Sequence, residues 1–86
     1  MIHFIKIKET FAYAVDAGEK NFEVRYNDRG YQKGDLVSFT VVKDTDPTDV
    51  IATHPLNQDL YRITYVLCSN GIEPGYVVFG IKKEAD

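Results

Sequence analysis

The sequence predicts a small α+β domain, mainly β, with one short helix after the first strand. Two observations carry this prediction. Several short runs are rich in β-branched and aromatic residues and are bounded by turn-forming residues, whereas one early segment has helical spacing. The chain has 86 residues, which suits one domain, so we expect a single domain over residues 1–86.

Five segments have the composition or the alternation of β-strands. The clearest is residues 21–26, where Phe22, Val24 and Tyr26 share one face and Asn21, Glu23 and Arg25 share the other. Strict alternation over residues 59–68 predicts one face with Tyr61, Ile63, Tyr65 and Leu67 and an opposite face ending at Cys68. The predicted strands are residues 2–7, 21–26, 36–43, 59–68 and 76–82.

Residues 9–17 are predicted to form the helix, with Phe11, Ala14 and Val15 on its inward stripe. Gly18 follows at the position where a positive φ angle ends many helices. One helix among several short strands favours a small β-barrel with the helix at one end.

Residues 44–58 are predicted to be a long acidic loop with room for one brief strand. Residues 44–59 contain four Asp and no Lys or Arg. A long loop in a small domain is often functional, so a protein-interaction role for this segment is one alternative. Lys83 to Asp86 are expected to form a solvated tail.

The net charge of −3, from 10 basic and 13 acidic residues, argues against a broad surface for nucleic acid, because such binding depends on neutralising many phosphates. A local basic site remains open, because six of the basic residues lie within residues 1–35. That stretch also contains six acidic residues.

The remaining composition excludes several classes of protein. Cys68 is the single cysteine, so no internal disulfide forms, and we expect it to be a buried apolar side chain in a reducing, cytoplasmic protein. His54 is isolated, so we expect no metal and no cofactor. No apolar run is long enough to cross a membrane, and residues 1–10 do not have the pattern of a secretion signal.

Residues 18–25 follow the pattern G-x-K-x-x-E-x-R, through Gly18, Lys20, Glu23 and Arg25. This pattern resembles the signature of ASCH domains, a branch of the PUA-like superfamily of small β-barrels. The sequence also resembles a narrower family of small, uncharacterised bacterial and phage proteins at several other positions. They are His3 and Lys6, Asn27-Asp28-Arg29, Gly34-Asp35, and Gly75-Tyr76-Val77-Val78.

The resemblance implies a module that binds RNA or a nucleotide-like small molecule in a polar cleft. Carried onto this chain, the ligand-binding residues are Lys20, Glu23, Arg25, Asn27, Arg29 and Tyr76.

The residue types fit that role. Glu23 and Arg25 are two apart on a strand, roughly 6–7 Å along it, and project from one face. Arg25 can present a planar fork to a phosphate or a base edge, with Lys20 as a point charge. Tyr31 or Tyr76 can stack on a base. The structural alternative is a surface ion pair worth only ~0.2–1 kcal/mol.

The residue at position 23 bears on whether the domain is an enzyme. ASCH-related amidohydrolases place a Thr nucleophile where this chain has Glu23, and a carboxylate cannot replace that hydroxyl without different chemistry. The sequence therefore favours binding over catalysis. The enzyme alternative is a small hydrolase of a modified nucleoside, with Lys20 polarising the substrate and Glu23 acting as general base.

Three other motifs have mainly structural interpretations. Asn27 to Gly30 form a predicted turn, with Arg29 its member most suited to face a ligand. Gly34 and Asp35 form a second turn at a strand entry. His3 is expected to be half-buried, with its hydrogen bonds satisfied inside the domain.

Overall fold

Six strands pair into one sheet in the computed structural model, which describes residues 1–84. The mainly β class with a single α-helix is confirmed, and each predicted strand and the helix are found within one residue of their expected bounds. The elements are β1 (Ile2–Lys8), α1 (Glu9–Asp16), β2 (Phe22–Tyr26), β3 (Leu36–Lys43), β4 (Asp46–Val50), β5 (Leu60–Leu67) and β6 (Tyr76–Lys83), with a 3₁₀ turn at Pro55–Gln58.

The strand order is β1-β3-β5-β6-β2. β1 runs parallel to β3, and the other neighbours along this path are antiparallel. β4 pairs with the end of β3, beyond the short stretch that pairs with β5. The sheet curls into a half-barrel, so its two outer strands, β1 and β2, are not paired with each other.

The helix α1 packs on the core through Ala12 and Val15, which are buried. The prediction that Phe11 faces the core is wrong, because its side chain is 49% exposed. Asp44, in the turn after β3, accepts hydrogen bonds from the backbone and the hydroxyl of Thr10 in the first helical turn. These bonds lower the pKa of the Asp44 carboxyl. Gly18 ends the segment with φ +77°, as predicted.

The core lies inside the curl of the sheet and is closed by α1 and the 3₁₀ turn. Both β-branched and aromatic residues fill it, as expected for inward strand faces. Its buried members are Ile5, Ile7, Ala12, Val15, Tyr31, Val37, Phe39, Val41, Leu56, Tyr61, Ile63, Val77, Phe79 and Ile81.

Residues 44–58 contain more regular structure than the expected long loop, namely β4 and the 3₁₀ turn. The turn inserts Leu56, which is fully buried. Asn57 fixes it, because its side chain accepts from the Val41 amide at 2.7 Å and donates to the Ile51 carbonyl at 2.7 Å. One side-chain amide therefore replaces a missing strand partner.

A β-bulge in β5 overturns the expected alternation of that strand. The pairing with β6 shifts between Ile63 and Tyr65, so the residues beyond it exchange faces. Tyr65 is 64% exposed, whereas Val66 packs against the core. Cys68 is exposed, so the prediction that it is buried is also wrong; it lies just past the end of β5.

The start of β1 is fixed by a buried polar contact. His3 is 4% exposed, and its Nε2 lies 2.7 Å from Oδ2 of Asp35. Tyr31 stacks between His3 and Phe79, with ring centroids 4.7 Å from each. The Asp35 carboxylate also accepts from the Gln32 amide, which joins the turn before β3 to the N-terminal strand.

Two residues of the predicted tail, Lys83 and Glu84, are part of the folded domain. Lys83 is the last residue of β6, and Glu84 accepts hydrogen bonds from Arg62. The last two residues, 85 and 86, lie outside the described part of the chain. Within residues 1–84, no helix combines the length and the apolar character needed to cross a membrane.

The bulge can be tested at Gly80. A Cβ atom added there would lie 2.6 Å from Oγ1 of Thr64. We expect Gly80→Ala to lower the free energy of unfolding by about 1–3 kcal/mol through overpacking. Adding Thr64→Ala should restore part of that loss in urea titrations. Additive losses in the double variant would contradict this explanation.

The His3–Asp35 contact predicts a dependence on pH. The hydrogen bond from His3 lowers the pKa of Asp35, against the opposing effect of burial. A lowered folded-state pKa stabilises the fold above the unfolded value of about 3.9 and loses that effect as pH falls through the folded value. We therefore expect Asp35→Asn to flatten the decline of the unfolding free energy below about pH 4.

Urea titrations between pH 2 and 6 measure this slope. Asp28→Asn is the matched control, because Asp28 is 62% exposed and its one ion-pair contact within residues 1–84, with Arg29, is at 4.0 Å. An unchanged acid slope in Asp35→Asn, or an equal change in both variants, would be inconsistent with the assignment.

Candidate functional site

An open seam separates the two outer strands of the half-barrel. Successive pairings in the sheet make β2 antiparallel to β1 across this gap. A groove of about 490 Å³ lies along it, which we call the seam groove. Its lining residues are Lys6, Ile7, Lys8, Phe11, Lys20, Phe22, Glu23, Val24, Arg25, Val42 and Pro47.

A buried carboxylate with two cations forms the polar part of the seam groove. Glu23 is 2% exposed. Its Oε1 accepts from Nε and Nη2 of Arg25 at 3.0 and 2.6 Å, and its Oε2 accepts from Nζ of Lys20. We call these three residues the ion cluster. Because the acid is buried, the cluster is not the surface ion pair that the spacing alone allowed.

The local sequence explains how the ion cluster forms. Glu23 and Arg25 occupy alternate positions of β2 and so share its inner face. The turn at Gly18 reverses the chain, and the Lys20 amide bonds back to the Ala14 carbonyl. The Lys20 side chain therefore lies beside Glu23 before β2 begins.

Lys20 also lies between two aromatic rings. Its Nζ is 5.3 Å from the ring centroid of Phe11 and 5.1 Å from that of Phe22, within the range of cation–π contacts. The same nitrogen donates to the Phe22 carbonyl at 2.8 Å. These contacts hold the ammonium group in place and leave two phenyl rings on the groove wall.

The lining of the seam groove is basic, although the chain is acidic. The lining contains one acidic residue, Glu23, and four basic residues, namely Lys6, Lys8, Lys20 and Arg25, so its net charge is +3. The whole chain carries −3. Within residues 1–84, Lys6 and Lys8 form no ion pair, and the Nη1 atom of Arg25 has no hydrogen-bond partner. These groups are available to an anion.

Comparison with known proteins assigns a family. The model of a family described as "Domain of unknown function (DUF3850)" matches residues 2–81. The chain belongs to the DUF3850 family. No curated protein matches the sequence.

The structure of this DUF3850 domain brings three of the six predicted ligand-binding residues together, namely Lys20, Glu23 and Arg25. Asn27 instead stabilises the turn after β2, where its Oδ1 accepts from the Tyr31 amide at 3.2 Å. Arg29 reaches across the seam, and its Nη1 donates to the Phe4 carbonyl of β1 at 2.9 Å.

The two predicted stacking residues lie elsewhere. Tyr76 is 39% exposed and packs edge-on against Tyr26, with ring centroids 5.6 Å apart, outside the groove lining. Tyr31 is only 5% exposed, so the expectation that its ring is free to stack is wrong. Burial raises the pKa of the Tyr31 hydroxyl, although Arg25 and Arg29 oppose the effect.

No pattern in the sequence assigns Lys8, Phe11 or Phe22 to the site. Lys8 and Phe11 fall at the β1–α1 junction, and the register that brings them opposite β2 is a tertiary property. The alternation of Phe22 with Val24 and Tyr26 instead predicts that the face carrying these three side chains is buried. All three of these β2 residues are exposed in the DUF3850 domain.

Residues 1–84 hold no group of three His, Cys, Asp or Glu side chains able to bind an ion. His54 is buried, and its Nδ1 accepts from the Leu56 amide at 3.1 Å. Its role is therefore to cap the 3₁₀ turn.

Removing the acid of the ion cluster should destabilise the domain. Glu23→Ala leaves Lys20 and Arg25 without their partner, and their side chains are 17% and 25% exposed. We expect a loss of about 2–3 kcal/mol in the free energy of unfolding, less than for a fully buried pair because both cations reach water.

The matched control is Glu84→Ala. It removes the acid of an exposed pair with Arg62, whose side chains are 37% and 45% exposed, so its effect should be much smaller than that of Glu23→Ala. Equal losses for the two variants in urea titrations would show that Glu23 behaves as a surface residue.

Proposed function

We propose that this DUF3850 domain is a nucleotide- or RNA-binding module of the ASCH type within the PUA-like superfamily, acting in the cytoplasm. The observation that carries the proposal is the basic, aromatic-walled seam groove in an otherwise acidic chain. The G-x-K-x-x-E-x-R resemblance supports it, because Lys20, Glu23 and Arg25 of that pattern all line this groove.

Charge is the first argument. The groove lining carries +3 within a chain of −3, so this place attracts an anion although the chain as a whole repels one. Walls of low dielectric strengthen such attraction. Lys6 and Lys8 supply exposed ammonium groups at the rim on β1, and Arg25 supplies a guanidinium held by Glu23.

The shape of the lining is the second argument. Phe11 and Phe22 offer apolar rings, and Val24 and Pro47 add apolar surface nearby. Nucleic acid bases stack on such rings without regard to sequence. A ligand with both an anionic group and a flat, partly apolar body fits this combination better than a small inorganic anion does.

Glu23 has a positioning role in this proposal. Its two oxygens hold Lys20 and Arg25, which fixes the guanidinium plane and leaves Nη1 directed away from the shared oxygen. A preorganised cation binds an anion with less loss of side-chain entropy than a free one.

The hydrolase alternative has weaker support. It requires Glu23 to accept a proton as general base. Both carboxylate oxygens already accept hydrogen bonds from Lys20 and Arg25, so a substrate proton would have to compete with these donors for the same oxygens.

Binding can be tested by titrating the domain with adenosine and uridine 5′-monophosphates at about 50 mM salt, following backbone amide shifts by NMR. We expect saturable shifts at the groove strands β1 and β2. The double variant Lys6→Gln/Lys8→Gln should weaken binding at least tenfold, because it removes the two unpaired ammonium groups of the lining.

The control is Lys33→Gln/Lys82→Gln, which lowers the net charge equally. Lys33 and Lys82 are exposed and lie outside the groove lining, so this variant should bind almost as well as the unmodified domain. Equal weakening in both variants would reduce the effect to net charge, and the absence of groove shifts at millimolar nucleotide would refute the proposal.

A further inference from the structure

One side chain crosses the seam beyond the seam groove. Toward the start of β1, Arg29 crosses the seam to the Phe4 carbonyl at 2.9 Å. Toward the end of β1, Phe11 of α1 and Pro47 of β4 belong to the lining. A chain that threaded along the groove toward the start of β1 would meet the Arg29 side chain.

The size of the groove agrees with a short ligand. Its volume of about 490 Å³ lies in the lower part of the range for small-molecule sites, which is about 300–1,000 Å³. That is room for one nucleotide with its phosphate, and the bases on either side in a polymer would lie outside.

The charge around the groove opposes a continuing polynucleotide. Since the lining holds +3 of a total of −3, the rest of the chain carries −6. Beside Pro47, the exposed carboxylates of Asp44 and Asp46 accept hydrogen bonds that lower their pKa values, so both are ionised at neutral pH. Phosphodiesters leaving the groove on this side would meet like charge.

The number of available cations suits a dianion. Lys6 and Lys8 are unpaired within residues 1–84, and Arg25 keeps its Nη1 atom free, whereas Lys20 is held by Glu23. An internal phosphodiester brings one negative charge. A phosphate monoester brings about 1.5–2 at pH 7, which matches the three available groups more closely.

We propose that the seam groove binds a terminal nucleotide that carries a phosphate monoester, either a free nucleoside monophosphate or the phosphorylated end of a single strand. This inference rests on the proposed function and narrows it. Arg29 acts as an end stop and not as a ligand-binding residue, and the interior of an RNA strand is not the ligand.

The test compares probes that differ only at their ends. Fluorescence anisotropy competition would use an adenylate dinucleotide with a 5′-phosphate, the same dinucleotide with a 3′-phosphate, the unphosphorylated form, and a circular oligoadenylate. Adenosine 5′-monophosphate and inorganic phosphate complete the set. We expect at least one phosphorylated dinucleotide to bind tenfold or more tightly than the unphosphorylated and circular forms.

A second readout is chain length. If only the end is bound, the affinity of 5′- or 3′-phosphorylated oligoadenylates should stay constant within about twofold from two to eight nucleotides. Affinity that rises steadily with length, or a circular form that binds as tightly as the phosphorylated dinucleotides, would overturn the end-binding inference while leaving nucleotide binding intact.

The outcomes separate the two proposals. If adenosine 5′-monophosphate and every oligonucleotide fail to bind at millimolar concentration, both proposals fail together. Lys6→Gln/Lys8→Gln should abolish the preference for the terminal phosphate and reduce the phosphorylated and unphosphorylated dinucleotides to similar affinity. A preference that survives in this variant would contradict the assignment of the phosphate to the rim lysines.

Discussion

The unpaired seam between β1 and β2 is the constraint on which the rest of the structure depends. A curled sheet that does not close leaves two strand edges, and exposed edges invite pairing with other chains. Here two carbonyls are covered by side-chain donors, Phe22 by Lys20 and Phe4 by Arg29. The inward charge of Glu23 is a further device found on edge strands. Two of these protecting groups, Lys20 and Glu23, also line the seam groove.

The ion cluster fills part of the seam with charged side chains, which costs free energy because these groups lose hydration. Apolar side chains of similar volume often stabilise a protein as much as a buried ion pair or more, because charges lose their hydration on burial. In an 86-residue chain the hydrophobic core is small, so such a substitution would matter. The presence of Glu23 with two cations, in a lining that also holds unpaired lysines, therefore favours a role in binding over one in stability alone.

Local periodicity was enough to predict five of the six strands described in residues 1–84, the helix, and the placement of Glu23 and Arg25 on one face, because each depends on neighbours two to four residues apart. It could not show which face of β2 is inside. The alternation of Phe22, Val24 and Tyr26 suggests a buried face, yet the half-barrel turns the polar face inward. Likewise, no local signal marked the bulge that moves Tyr65 outward, or the stacking that buries Tyr31. These features depend on how distant strands meet.

The parallel pairing of β1 with β3 has a consequence for how the domain assembles. Ile2 pairs with Leu36, and every later pair keeps the same wide spacing along the chain, whereas β5 and β6 are joined by a short connection. Closing a long loop costs entropy before its contacts form, and contacts of high separation slow folding. During synthesis the first strand must wait for β3 to emerge. We infer that the β5–β6 hairpin forms early and that β1 docks late, so the wall of the seam that carries Lys6 and Lys8 is completed last.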